Sequence, residues 1–195
     1  MEFDIKNWAN LSDEDRQVII IKIAYEYDLG FKLSYNMPSG HETDNGYYSK
    51  EDNMFYFNYM LMKDDNTLAT IYNLFYEIRK VMHIMNIDST PIIQKSLNYT
   101  FMYDGSVYRN DGDIQEVYLD GERKYLKQVY ISAPNTYDAN KYAYNKVYEY
   151  VKDDEALVQE LDDIYDYWKP TFEFFSEDEL EATYTEIFKE IDSKF

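Results

Sequence analysis

Apolar residues recur at steps of three and four along much of this chain, and that spacing predicts amphipathic helices. One helix is predicted to begin at Ser12, where a hydroxyl side chain precedes acidic residues, and to end before Gly30. A second helix is predicted to begin at Asn66. Its apolar positions are Leu68, Ile71, Leu74, Phe75, Ile78, Met82 and Met85.

The C-terminal part of the chain repeats this helical pattern. Helices are predicted over 138–151 and 154–168, and Pro170 ends the second of them. A last helix is predicted to begin at Ser176, because Glu179 completes a capping-box sequence with it. The apolar face of that helix comprises Leu180, Tyr184, Ile187, Phe188 and Ile191.

Between these helices the pattern favours strands. Residues 54–60 form a short aromatic segment that predicts one strand, whereas 31–46 has the proline and glycine content of a loop. Over 97–132, valine- and tyrosine-bearing segments are separated by Asp-Gly pairs, which favour hairpin turns. These pairs lie at 104–105, 111–112 and 120–121.

This pattern predicts the fold class and the domain organisation. The hairpin region and the aromatic segment are expected to share one small antiparallel sheet, with helices making up most of the rest. The sequence therefore predicts a single domain over 1–195 with an α+β fold, mostly helical with a small antiparallel β-meander. Residues 152–195 are expected to form its acidic C-terminal helices.

The charge of the chain indicates what kind of partner it binds. There are 38 acidic and 19 basic residues, a formal net charge of −19, and the stretch 153–192 holds fifteen acids and two lysines. Nucleic-acid affinity rests mainly on basic side chains that neutralise phosphates, so direct DNA binding is not expected. A basic protein surface is the favoured partner. The alternative is a solvated face that only keeps the protein soluble.

The remaining composition predicts an ordered core and excludes several kinds of metal site. Hydrophobic residues make up 45% of the chain and aromatic residues 18%, so an ordered core is expected. Cysteine is absent and the only histidines are His41 and His83, which excludes thiolate zinc sites and a multi-histidine metal centre. The acidic N-terminus lacks the apolar region of a signal peptide, and no apolar run matches a bilayer in length. A cytoplasmic protein without membrane contact is expected.

Several segments together resemble one enzyme family. Residues 76–83, Tyr-Glu-Ile-Arg-Lys-Val-Met-His, resemble the zinc helix of gluzincin-like metallopeptidases of phages and mobile elements. Upstream, 46–48 (Gly-Tyr-Tyr) and 54–58 are similar to that family's Gly-Tyr-Tyr motif and edge strand. Downstream, 133–139 is similar to the segment that supplies the third zinc ligand. The resemblance covers 46–148 apart from the hairpin region, and it implies a zincin-like core there.

The departures from that family are at its zinc ligands. The corresponding positions hold Tyr76, Lys80 and Thr136, and a lysine ammonium repels a metal cation. Only Glu77, at the position of the catalytic base, and Asp138 match. The resemblance thus implies a pseudoenzyme without a metal, a cofactor or catalytic residues. The alternative is that Glu77 and Lys80 are an i,i+3 pair on an unrelated helix.

These observations favour a non-enzymatic inhibitor that occupies a nucleic-acid-binding surface of a host nuclease complex. Phage-encoded anti-CRISPR and anti-restriction proteins have this size and charge, and they act in the cytoplasm of the host cell. Carboxylates on neighbouring helical turns lie about 5–6 Å apart, a spacing suited to the basic residues that line such a groove. Two alternatives stay open: a catalytically dead zincin-like scaffold or partner-binding module, and an enzyme with unrecognised chemistry.

The predicted partner-binding residues are acids and tyrosines of the C-terminal helices. Neutralising Asp162, Asp163 and Asp166 is expected to weaken binding and to leave the thermal midpoint unchanged or raised, because repulsion is relieved. The full predicted set is Asp153, Asp154, Glu155, Asp162, Asp163, Tyr165, Asp166, Tyr167, Glu177, Asp178, Glu179 and Glu181.

Overall fold

The protein is mostly helical. The computed structural model describes residues 5–63, 66–102, 106–110, 116–118, 126–170 and 176–194. Side chains are described over these ranges except at 116–118 and 126–128. Helices account for 62% of the structure and the strands are few, which confirms the predicted α+β class.

The regular elements follow one another in a simple order. A 3-10 helix, Ile5–Asn10, comes first. The α-helices are α1 (Asp13–Tyr25), α2 (Tyr59–Met62), α3 (Thr67–Ile84), α4 (Pro91–Ser96), α5 (Leu126–Ser132), α6 (Pro134–Val151), α7 (Glu155–Trp168) and α8 (Glu177–Ser193). The strands are β1 (Lys32–Ser34), β2 (Gly46–Ser49), β3 (Met54–Phe57), β4 (Tyr99–Phe101), β5 (Ser106–Arg109) and β6 (Glu116–Tyr118).

The chain divides into two compact units. The first unit comprises Met1–Val81 and Lys141–Asp166, and the second comprises Met82–Asn140 and Tyr167–Phe195. Helices α3, α6 and α7 contribute residues to both units. The predicted single-domain organisation stays a prediction.

The first unit contains a three-stranded mixed sheet in the order β1-β3-β2. Strand β3 lies antiparallel to β2 and parallel to β1. Phe55 and Phe57 point into the core from β3, as the aromatic pattern predicted. The predicted loop over 31–46 is wrong in part, because it contains β1 and the first residue of β2. A three-residue strand is too short to show the alternation by which strands are recognised.

Helices α1 and α3 begin where the sequence predicted, whereas α6 begins at Pro134, before the predicted 138, and the predicted strand over 54–60 ends at Phe57 and is followed by α2. The Ser12 side chain accepts from the backbone N–H of Asp15 at 3.2 Å and caps α1. The Asn66 side chain accepts from the N–H of Ala69 at 2.8 Å and caps α3. Helix α1 ends at Tyr25, several residues before the predicted stop. These caps satisfy backbone donors that have no partner inside the helix.

The second unit is built around α8 and a three-stranded antiparallel sheet in the order β4-β5-β6. The ring of Tyr99 on β4 stacks on Phe188 of α8, with centroids 4.9 Å apart. A capping box between Ser176 and Glu179 starts α8, as predicted. The buried core comprises Tyr99, Phe101, Val107, Ala133, Leu180, Tyr184, Phe188 and Ile191.

Three details of the strand prediction are corrected. The aromatic strand and the hairpin region belong to two sheets, and the first of these sheets includes a parallel pair. The end of the predicted meander, 126–132, is the helix α5. Ile131 is buried there, and Val129 and Tyr130 pack on the core, so tertiary packing outweighs their strand preference. The Asp-Gly pairs themselves lie outside the described residues.

Candidate functional site

Helix α7 presents carboxylates along its exposed face. Glu155, Asp163 and Asp166 are exposed there, whereas Leu161 is buried on the opposite side. We call these three acids the acidic row. Gln159 lies between them and donates a hydrogen bond to Asp163 at 3.1 Å. Over the described residues, no lysine or arginine forms an ion pair with the acidic row.

The acids just before α7 differ from one another. Asp154 caps the helix, accepting from the N–H groups of Ala156 and Leu157 at 3.1 and 3.2 Å. It also forms an ion pair with Lys6. The Lys6 ammonium, followed by the helix N–H groups, holds the pKa of Asp154 below its usual value. Asp154 therefore stabilises the fold, whereas the neighbouring Asp153 is exposed.

Asp162 also has a partner inside the protein. The hydroxyl of Tyr144 on α6 donates a hydrogen bond to Asp162 at 2.7 Å. Burial, together with this bond, raises the pKa of Tyr144 to about 12. The Tyr144 ring lies 4.7 Å from the ring of Tyr165 and 6.1 Å from that of Tyr148. We call Tyr144, Tyr148 and Tyr165 the tyrosine cluster, so the predicted residues Asp162 and Tyr165 are part of a packed arrangement.

The predicted residues at the start of α8 serve that helix. Glu177, Asp178 and Glu179 occupy its first turn. The Ser176 side chain accepts from the N–H of Glu179 at 3.2 Å, and the Glu179 carboxylate accepts from the N–H of Ser176 at 3.3 Å. Carboxylates in a first turn stabilise a helix through its dipole. Glu181 follows one turn later and is exposed.

The later acids of α8 are paired with cations. Each of three carboxylates contacts a lysine: Glu186 with Lys189, Glu190 with Lys194, and Asp192 with Lys95. Asp192 also accepts a hydrogen bond from the hydroxyl of Tyr99 in the core of the second unit. With the exception of Glu181, the acids of α8 thus lie in the first turn of the helix or form ion pairs.

The predicted partner-binding set is divided between the two units. Its members from Asp153 to Asp166 lie in the first unit, and the rest, from Tyr167 to Glu181, lie in the second. Tyr167 is 58% exposed and packs edge-on against Trp168. The acidic row, like Asp153 and Glu181 of the same set, is exposed and forms no ion pair with a described lysine or arginine.

The α3 segment that resembles a zinc helix holds a buried acid. Glu77 is buried and lies 3.1 Å from the ammonium of Lys80. A Cβ added to Gly46 of β2 would lie 2.7 Å from Cγ of Glu77, so glycine is required at that close approach. Burial raises the pKa of Glu77, and Lys80 opposes that shift. Glu77 is thus a buried carboxylate that is ion-paired with Lys80.

His83, at the end of α3, forms a buried pair in the second unit. Its Nε2 lies 2.8 Å from the carboxylate of Asp138 on α6. Its Nδ1 is buried and has no hydrogen-bond partner among the described residues. Sequence analysis singled out Asp138 but not this contact, because the two residues are 55 positions apart. Thr136, the third predicted ligand position, is buried nearby in sequence on α6.

No group of three or more histidine, aspartate or glutamate side chains in the described part of the chain has an arrangement that would hold a metal ion. Likewise, none of the helices described has the length and apolar character required to cross a bilayer.

Comparison with protein-family models, curated proteins and solved structures returns no significant match. The relationship to gluzincin-like metallopeptidases therefore stays a hypothesis that rests on the motifs quoted above.

Proposed function

We propose that this protein is a non-enzymatic acidic inhibitor that binds a basic, nucleic-acid-binding surface of a host nuclease complex. The observation that carries the proposal is the acidic row of α7. Its carboxylates are exposed and form no ion pair with a described lysine or arginine. A groove that binds nucleic acid is lined by lysines and arginines that neutralise phosphates, and those side chains are the natural partners of such a row.

The geometry of α7 suits this role. Glu155 and Asp166 are eleven residues apart, which is about 17 Å along a helix at 1.5 Å per residue. Exposed ion pairs contribute only about 0.2–1 kcal/mol each, so affinity must come from several pairs acting together with aromatic contacts. The net charge of −19 also accelerates encounter with a basic surface. Binding should therefore weaken steeply as the salt concentration rises.

The proposal includes the biological setting. A protein that blocks a nucleic-acid groove acts stoichiometrically and needs no catalytic residue. We propose that the chain is phage-encoded and that its target is a CRISPR nuclease or a restriction enzyme. The support for this setting is the size and acidity of the chain, together with a carboxylate row that the fold does not require.

The experiment is a cleavage assay on a panel of purified CRISPR nucleases and restriction enzymes. Each enzyme is titrated with the protein before and after it is loaded with its nucleic acid. We expect inhibition of one enzyme class with an end point near one protein per complex, and no inhibition once the groove is filled. Inhibition at far lower ratios would indicate an enzyme, and inhibition of no enzyme in the panel would contradict the proposal.

A second candidate is a catalytically dead zincin-like scaffold, and the Glu77–Lys80 pair favours it. An ammonium lies 3.1 Å from the carboxylate at the position of the catalytic base. On this account the protein binds no stoichiometric zinc and has no peptidase activity. The test is elemental analysis after incubation with zinc. If the wild type binds one zinc per chain and Glu77→Gln binds none, the account of a catalytically dead scaffold is contradicted.

A further inference from the structure

The tyrosine cluster forms a partly exposed aromatic surface in the first unit. Tyr144 and Tyr148 lie one turn apart on α6, with their ring planes 19° from parallel. Tyr165 of α7 packs against Tyr144 with its ring plane tilted by 40°. Tyr148 is 37% exposed, and the other two rings are half-buried. The surface therefore offers ring faces and edges to a ligand from solvent.

Other tyrosines of the first unit already hold a cation of the chain itself. Lysine ammonium groups lie over the rings of several: Lys63 over Tyr59, Lys80 over Tyr76 and Lys146 over Tyr142, at 4.7, 5.3 and 5.3 Å. Over the described residues, no lysine or arginine lies over Tyr144 or Tyr148. These two rings differ from those of Tyr59, Tyr76 and Tyr142 in having no lysine over the ring face.

Asp162 makes this surface more attractive to a cation. One of its oxygens, Oδ1, accepts the Tyr144 hydroxyl, and Oδ2 accepts no hydrogen bond from the described residues. A phenol that donates to a carboxylate is polarised, so the ring face gains electron density and attracts a cation more strongly. The hydrogen bond thus joins an acceptor carboxylate to the aromatic rings of the cluster.

We propose that the tyrosine cluster and Asp162 form a binding site for an arginine side chain of the basic partner. This inference rests on the proposed function, which supplies the arginine. A planar guanidinium stacks on a ring of the tyrosine cluster and donates an N–H to Asp162 Oδ2. Arginine is favoured over lysine, because an ammonium is more strongly hydrated and cannot stack. The acidic row attracts a basic partner without fixing its orientation, and the arginine site would fix the orientation in which the partner binds.

The test uses hexa-arginine and hexa-lysine peptides with the full chain, and it needs no knowledge of the natural partner. Affinities are measured by calorimetry at fixed salt for the wild type and for Tyr148→Leu, which keeps the net charge. We expect wild type to bind hexa-arginine more tightly than hexa-lysine. Tyr148→Leu should weaken hexa-arginine binding about two- to fivefold and affect hexa-lysine less. Tyr25→Leu is the matched control, since Tyr25 is an exposed tyrosine of α1.

NMR of the tyrosine rings locates the peptide. Hexa-arginine should shift the ring resonances of Tyr148 and Tyr165 and leave those of Tyr25 unchanged. Equal effects of Tyr148→Leu and Tyr25→Leu, equal affinity for both peptides, or unshifted cluster rings would overturn the arginine site.

The two proposals fail separately. If hexa-arginine binds as expected but no nuclease is inhibited, the arginine site stands and the proposed function is wrong. If a nuclease is inhibited but Tyr148→Leu has no effect on peptide binding, the proposed function stands and the arginine site is wrong.

Discussion

Helices α7 and α8 are both strongly acidic, but their carboxylates have different roles. On α8 every acid except the exposed Glu181 lies in the first turn or contacts a lysine. On α7 the acidic row is exposed and has no cationic partner over the described residues. Two helices with equally acidic sequences therefore differ in structure: most carboxylates of one have partners inside the protein, and the exposed carboxylates of the other have no cationic partner there.

This difference between α7 and α8 identifies the acidic row as the carboxylates that are free to bind a partner. Unpaired like charges on one helix face repel one another and cost stability. A carboxylate that has no internal partner is thus better explained by a partner outside the molecule. The central claim is that the acidic row, and not acidity in general, binds a basic surface. The following predictions test the two halves of this comparison.

The largest effect is expected where α8 meets its core. Phe188 is fully buried and stacks on Tyr99, so Phe188→Ala should lower the free energy of unfolding by about 3–5 kcal/mol. Thr183→Ala, at an exposed position of the same helix, should change it by less than about 0.5 kcal/mol. Urea unfolding measures both. A small effect of Phe188→Ala would show that α8 does not hold the second unit together.

The next effect separates two adjacent acids of α7. Asp162→Ala removes the acceptor of the Tyr144 hydroxyl and should lower the free energy of unfolding by about 1–2 kcal/mol. Asp163→Ala is the matched control, which should stay within about 0.5 kcal/mol of wild type. The expectation that neutralising Asp162, Asp163 and Asp166 leaves the thermal midpoint unchanged or raised takes account of charge repulsion but not of the hydrogen bond to Asp162. Equal midpoints for the two variants would contradict the structural role of Asp162.

The same hydrogen bond has a pH signature. The folded pKa of Tyr144 is raised to about 12, above the value of about 10 expected in the unfolded chain. The stability that burial and the bond to Asp162 give to the protonated phenol is therefore fully present below pH 10 and is lost as the pH rises from 10 to 12. Tyr144→Phe should lose less stability than wild type over this range. Thermal melts at pH 9, 10, 11 and 12 give the comparison, and parallel losses would contradict it.

A smaller effect is expected at the first turn of α8. Ser176→Ala removes the side chain that accepts from the N–H of Glu179 and should cost about 1 kcal/mol. Thermal unfolding measures this cost, and Thr183→Ala again serves as the control. If Ser176→Ala does not change the free energy of unfolding, the capping box does not stabilise α8. The first-turn acids of α8 would then resemble the acidic row of α7 in having no role in stability.

The sequence predicted the starts of the helices better than the strands. Ser12, Asn66 and Ser176 each cap a helix within a few residues of the chain, so the signal is local. Strand β1 depends on pairing with β3, which lies 22 positions further along the chain. Helix α5 depends on packing of its apolar side against α8 and β4 residues of the core. Neither of these dependences can be recognised in a local pattern.

The sequence predicted that the candidate site is acidic, but it did not predict which of the acids have a structural role. The sequence showed which residues are acidic, and their role in partner binding stays a prediction. It did not distinguish Asp162, whose partner Tyr144 lies 18 positions away, from the adjacent Asp163. It also did not show that Asp154 contacts Lys6 at the other end of the chain. Such pairs follow from the fold, and they separate structural acids from the acidic row.

The most direct measurement compares two charge-matched variants in binding to the inhibited nuclease. The α7 variant carries Asp163→Asn and Asp166→Asn, and the α8 variant carries Glu186→Gln and Glu190→Gln. Kd is measured for both and for wild type between 50 and 300 mM salt, with circular dichroism confirming that each is folded.

The account predicts that the α7 variant loses about tenfold or more in affinity at low salt, and that its affinity depends less on salt than that of wild type. The α8 variant should stay within about threefold of wild type, since its acids already have lysine partners. Equal losses for the two variants would show that only total charge matters. No loss for the α7 variant would contradict the central claim.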